Sequence, residues 1–137
     1  MPGGLIAGVR RNIPQADIQG RGWRECYRDT YANGATSLAQ ILAACQGEQL
    51  MIGCRATGQQ NLLVGAEGLF AEVTRDVGDG QDAVNTHNGV DFYFSNGASW
   101  GFAPGGLGVS RNSCDIDGAQ VDDRMCWHTS AGNINAG

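Results

Sequence analysis

The chain has no lysine. All nine basic residues are arginine, set against fourteen Asp and Glu, for a formal charge of −5 over 137 residues. An acidic body of this kind argues against a phosphate-backbone ligand, because such binding relies on many basic side chains displacing counterions. No apolar run approaches the roughly 20 residues of a membrane span. No signal peptide is visible either, since "GGLIAGV" is too short and wrongly flanked. C-x-x-C, G-x-S-x-G and H-E-x-x-H are all missing, and His87 and His128 are the only histidines. Structural zinc, serine-hydrolase and zinc-protease chemistry therefore lack their usual spacing. No catalytic residue is assigned, and the chain reads as a non-enzyme.

What is abundant is glycine, 22 residues, with hydrophobic residues at 42% and five cysteines. Glycine at this density without a collagen period suits many tight turns between short strands. The length fits one domain with a modest core. Charge is uneven along the chain. Residues 1–28 carry five Arg against Asp17 and Glu25, a net of +3, whereas residues 29–137 carry four Arg against twelve acids, a net of −8. Residues 1–22 mix Gly, Pro and Arg without a sustained period, which predicts a flexible or loosely docked N-terminal arm before a single β-rich domain over 23–137.

The clearest helix is predicted over residues 38–46. Ser37 with Gln40 three residues on forms a capping-box pattern, and Leu38, Ile41, Leu42 and Cys45 make one apolar stripe. Strand patterns follow at 50–56, 61–68, 69–77, 89–95, 100–102 and 123–129, with Asn96-Gly97 marking a hairpin. The expected fold is mainly β: a small sandwich-like or barrel-like domain of about six short strands with one capped α-helix, stapled by disulfides.

Five cysteines without a metal-type pairing point to an oxidising, extracellular or cell-surface compartment. A cytosolic chain with reduced buried thiols is the competing reading. Cys114 and Cys126 suit a cross-linked loop; among Cys26, Cys45 and Cys54 the preferred pair is Cys26–Cys45, leaving Cys54 over. Cys114, Cys126 and His128 lack zinc spacing. Two acidic turns, one with Asp115, Asp117, Asp122 and Asp123 and the other with Asp76, Asp79 and Asp82, offer loose calcium ligands without an EF-hand pattern. They read first as solvated turns, so no metal site and no cofactor is expected.

"GWRECYRDTY", the capped helix, "LMIGCR", "SWGFAPGG", "RNSCD" and "RMCWHT" together resemble a pattern in uncharacterised, exported, cysteine-containing bacterial proteins. The resemblance spans about residues 22–135. It implies an extracellular, disulfide-linked β-rich domain and carries no activity, substrate or catalytic residue. It also implies that a sixth cysteine beyond residue 137 partners the odd one.

Binding is the function the residues favour. Asn88, Asp91 and Asn96 alternate with Tyr93 and Trp100, and flat aromatic faces beside amides and carboxylates suit sugar rings. These five are the expected ligand contacts of a lectin-like domain for carbohydrate or another extracellular polymer. The alternative is a structural, self-assembling subunit of a surface layer, filament or capsid, in which the basic arm docks on a neighbouring copy to form a homo-oligomer.

Overall fold

The computed structural model describes residues 4–29, 37–78, 82–111 and 120–129. The fold is mainly β, with two antiparallel sheets. The first has three strands in the order β1-β3-β2, where β1 is Arg10–Ile13, β2 is Gln49–Cys54 and β3 is Leu62–Leu69. The second is a four-stranded meander: β4 (Asn85–His87), β5 (Val90–Phe94), β6 (Ser99–Pro104) and β7 (Met125–His128). Three short α-helices, α1 (Gln15–Gly20), α2 (Leu38–Ala44) and α3 (Phe70–Val73), and a 3-10 turn at Val121–Asp123 complete the described elements.

Local chemistry accounts for several of these elements. The Ser37 hydroxyl accepts from the Gln40 amide and the Gln40 side chain returns to the Ser37 amide, so the capping box forms as expected. The whole predicted stripe, Leu38, Ile41, Leu42 and Cys45, packs into the main core. Asn88 and Gly89, both at positive φ, join β4 to β5 in a two-residue turn, the conformation that an Asn-Gly pair favours. The Asn96-Gly97 hairpin between β5 and β6 also forms, with Phe94 opposite Trp100.

Both sheets feed one apolar cluster. Leu50, Ile52, Val64 and Ala66 of the first sheet belong to it together with Val90, Phe92, Phe94, Trp100, Phe102 and Met125 of the second. Phe94 meets Trp100 edge-on at 5.1 Å between ring centroids, and Trp127 lies 4.9 Å from Trp100. Tyr93 and Cys126 face the other side of the meander, under Val77, Val84 and Val109.

Two expectations are corrected. Residues 69–77 are not a strand: Leu69 ends β3 and Phe70–Val73 turn helical, because Phe70 and the buried Val73 lie three residues apart and reach the core from one side. The N-terminal segment is not a loosely docked arm over residues 4–22. Arg10, Arg11 and Ile13 pair with Gly65, Val64 and Leu62 of β3, and Ile13 is buried.

Cys26 and Cys45 are joined, as the sequence reading preferred, across a separation of 19 residues. Cys126 is disulfide-bonded and Cys54 is free. Cys114, the expected partner of Cys126, lies outside the described residues. Closing a loop of this length is worth about 3 kcal/mol in the chain-entropy model. A Cys26→Ala, Cys45→Ala double variant is therefore expected to melt about 10 °C lower. An unchanged midpoint in calorimetry would remove the staple from the stability argument.

Candidate functional site

A cleft of about 120 Å³ opens between α1 and the loop joining β2 to β3, lined by Gln15, Ile18, Gln19, Trp23, Glu25, Arg55, Gln60 and Leu62. Its near wall is a product of helix geometry. Gln15, Ile18 and Gln19 fall at i, i+3 and i+4 on one face of α1. The helix ends at Gly20 with Arg21 as its C-cap, and the next residue, Gly22, has a φ of +84° that suits a residue without a Cβ. The Gly22 amide donates to Gln19 O and the Trp23 amide to Ile18 O, the paired bonds of a Schellman ending. That ending folds the chain back so that Trp23 rejoins Ile18 at the cleft. The far wall comes from Arg55, Gln60 and Leu62, after and before strands that are already paired in register.

Two polar atoms in this lining have no hydrogen-bond partner although they are shielded from solvent: the Trp23 indole N–H, a donor, and the Gln15 Oε1, an acceptor. Buried polar groups are nearly always paired in folded proteins, so an unpaired donor and acceptor at one cleft mark where a ligand group or water would sit. Arg21 lies over the Trp23 ring, 5.9 Å from its centroid, within cation–π range.

Arg21 is itself held by Glu67, a β3 side chain only 1% exposed. Both guanidinium nitrogens donate to the two carboxylate oxygens at 2.6 Å, the Ile6 amide adds a bond at 2.7 Å, and Arg10 stands at 3.8 Å. Burial pushes the Glu67 carboxyl up, but the Arg21 and Ile6 hydrogen bonds and the charges of Arg21 and Arg10 outweigh it and hold it below the ordinary carboxylate range. Hydrogen bonding to Glu67 in turn raises Arg21. Glu67, Arg21 and Trp23 thus form a chain of contacts from the first sheet to the cleft.

The five contacts expected from sequence do not make a surface. Tyr93 is 0% exposed, Trp100 1% and Asp91 4%, so none can stack on or bond to a sugar, and the aromatic platform is withdrawn. Every residue of β5 is buried, because the meander is covered on both faces rather than one. Asp91 instead accepts from the Thr86 hydroxyl at 2.6 Å and the Gly106 amide at 3.0 Å. Asn88 donates to Ile6 O and Glu67 O, pinning the N-terminal segment to the first sheet. Only Asn96 is fully exposed, at the hairpin tip.

The acidic turns are likewise engaged elsewhere. Asp76 caps the Gly78 amide, Asp82 accepts from the Arg111 amide, and Asp123 pairs with Arg11 at 2.8 Å. Asp79, Asp115 and Asp117 lie outside the described residues. Among the described residues no group of three His, Cys, Asp or Glu is placed to hold a metal ion, and no helix is long and apolar enough to cross a membrane. His87 Nε2 accepts from the Leu69 amide at 3.0 Å. Compared with models of known protein families, with curated proteins and with solved structures, the chain matches none.

Proposed function

We propose that this chain is an extracellular, non-catalytic binding domain whose cleft takes one sugar unit of an extracellular polymer. The observation that carries the reading is the meeting, at one cleft, of an unpartnered donor, the Trp23 indole N–H, and an unpartnered acceptor, Gln15 Oε1. A sugar hydroxyl both donates and accepts, so neighbouring hydroxyls satisfy Trp23 Nε1 and Gln15 Oε1 together. The cleft is smaller than the roughly 300–1,000 Å³ that holds a drug-sized molecule. It suits one unit of a longer chain, with Gln19 and Gln60 to steady the flanks. The disulfide supports an oxidising compartment, and the shared core supports a sandwich-like scaffold beneath the site.

The self-assembly reading relied on a free basic arm. It loses that support, because Arg10 and Arg21 turn to Glu67 and Arg11 turns to Asp123 within the same chain. A glycan array followed by calorimetry on the best binder tests the proposal. Trp23→Ala is expected to weaken binding about tenfold, the effect of losing a central aromatic contact worth somewhat over 1 kcal/mol. Selective binding that survives Trp23→Ala would move the site elsewhere, and a flat array would remove the carbohydrate reading.

A further inference from the structure

We propose that the unit recognised in the cleft is a sugar acid, its carboxylate taken by Arg55, with Glu25 standing in for that carboxylate in the free protein. This rests on the carbohydrate reading above and narrows it. The Arg55 side chain is 19% exposed, yet among the described residues its one ion-pair partner is Glu25, at 3.8 Å. That is too long for a charge-assisted hydrogen bond, which closes to about 2.7–2.9 Å. A planar guanidinium held mostly out of water and without a close acceptor is prepared for bidentate capture of a carboxylate. Glu25, in contrast, is 57% exposed and shared with Arg28 at 3.5 Å. It is free to swing away when a ligand carboxylate arrives.

Charge around the cleft favours an anion even though the whole chain is acidic. Arg21 is neutralised by Glu67 and Arg28 stands beside Glu25, while Arg24, among the described residues, donates to Ala44 O alone, at 3.4 Å. Arg24 and Arg55 remain as the excess. The unpartnered Trp23 donor and Gln15 acceptor are suited to ring hydroxyls beside the carboxyl group, which is why a sugar acid fits better than an acidic peptide.

The test uses uronate oligosaccharides (galacturonate, glucuronate and mannuronate series), their carboxyl-reduced counterparts, and poly-glutamate, titrated by calorimetry into the full chain. At least one uronate series is expected to bind about tenfold tighter than its reduced form, and Arg55→Gln is expected to bring the two forms to equal affinity. Glu25→Gln is expected to tighten uronate binding about fivefold relative to the reduced form, the size of one like-charge contact near 4 Å in a water-like dielectric. A gain of this kind cannot come from misfolding. Equal binding of acid and reduced forms would overturn the sugar-acid assignment and leave the carbohydrate cleft standing. Poly-glutamate binding as tightly as the uronates would keep the role of Arg55 and overturn the sugar. No binding of any saccharide would overturn both.

Discussion

Glu67→Ala is expected to cost about 4 kcal/mol, because removing one member of a buried ion pair leaves the other charged and uncompensated. Three groups lose their acceptor at once: the Arg21 guanidinium, the Ile6 amide and the more distant Arg10. For a domain of this length the thermal midpoint should fall by roughly 15 °C. Loss of the N-terminal segment should accompany it, visible as rapid hydrogen exchange at Ile6 and Gly8, since both are tied through Glu67 and Asn88. The pH dependence has a defined sign. A carboxyl held below its ordinary value contributes stability that is fully present above that ordinary value, about 4.3, and is lost as pH falls through the depressed folded-state value. Native protein should therefore weaken below about pH 4, and Glu67→Gln, already weaker at neutral pH, should lose less over the same window. Parallel acid profiles for the two proteins would show that Glu67 is not the titrating anchor.

The largest effect is expected at Gly101. A Cβ there would stand 2.8 Å from Cys126 Cα and 2.8 Å from the Tyr93 hydroxyl, and would also strike the Met125 carbonyl oxygen. Two of these obstacles are backbone of β7, paired in register with β6, so relief requires the strands to part. Gly101→Ala should therefore cost more than about 4 kcal/mol, in the exceptional range for one substitution. Insoluble or unfolded protein is the expected readout in expression and circular dichroism. Gly108, whose Cβ would meet nothing within 4 Å, supplies the control, with Gly108→Ala expected within about 0.5 kcal/mol of native. A Gly101→Ala protein with a native melt would mean that β7 does not seat on β6 as described.

The sequence is legible where the physics is local. The Ser37–Gln40 box, the apolar stripe of α2 and the Asn96-Gly97 hairpin all need only neighbours within a few residues. The second Asn-Gly pair, at 88–89, carries the same signal and forms the turn between β4 and β5. Strand β1 had no such signal. "RRNI" alternates poorly and holds two charges; it pairs because Glu67 and β3, more than fifty residues away, receive it. Tyr93 and Trp100 failed as surface residues for a related reason. Alternation in "VDFYFS" suggests one wet face, but Val77, Val84 and Val109 cover that face too, and no strand pattern reveals a cover supplied by distant loops. The cleft was half legible. Trp23 sits in plain view beside Gly22, whereas Arg55, Gln60 and Leu62 arrive only through the fold.

The Ile6–Glu67 bond spans 61 residues, and β1 finds its partner only once β3 exists, whereas the Cys26–Cys45 link spans 19. During synthesis β1 emerges well before β3 and has to wait for it. The covalent loop can close while β3 is still being made, so its closing entropy is met early and the long β1–β3 loop late. Until then a strand rich in arginine trails unpaired, and its charge keeps it from joining another chain's sheet edge. The arginines that later pair with Glu67 and Asp123 would in that interval be unpaired charges on an open strand.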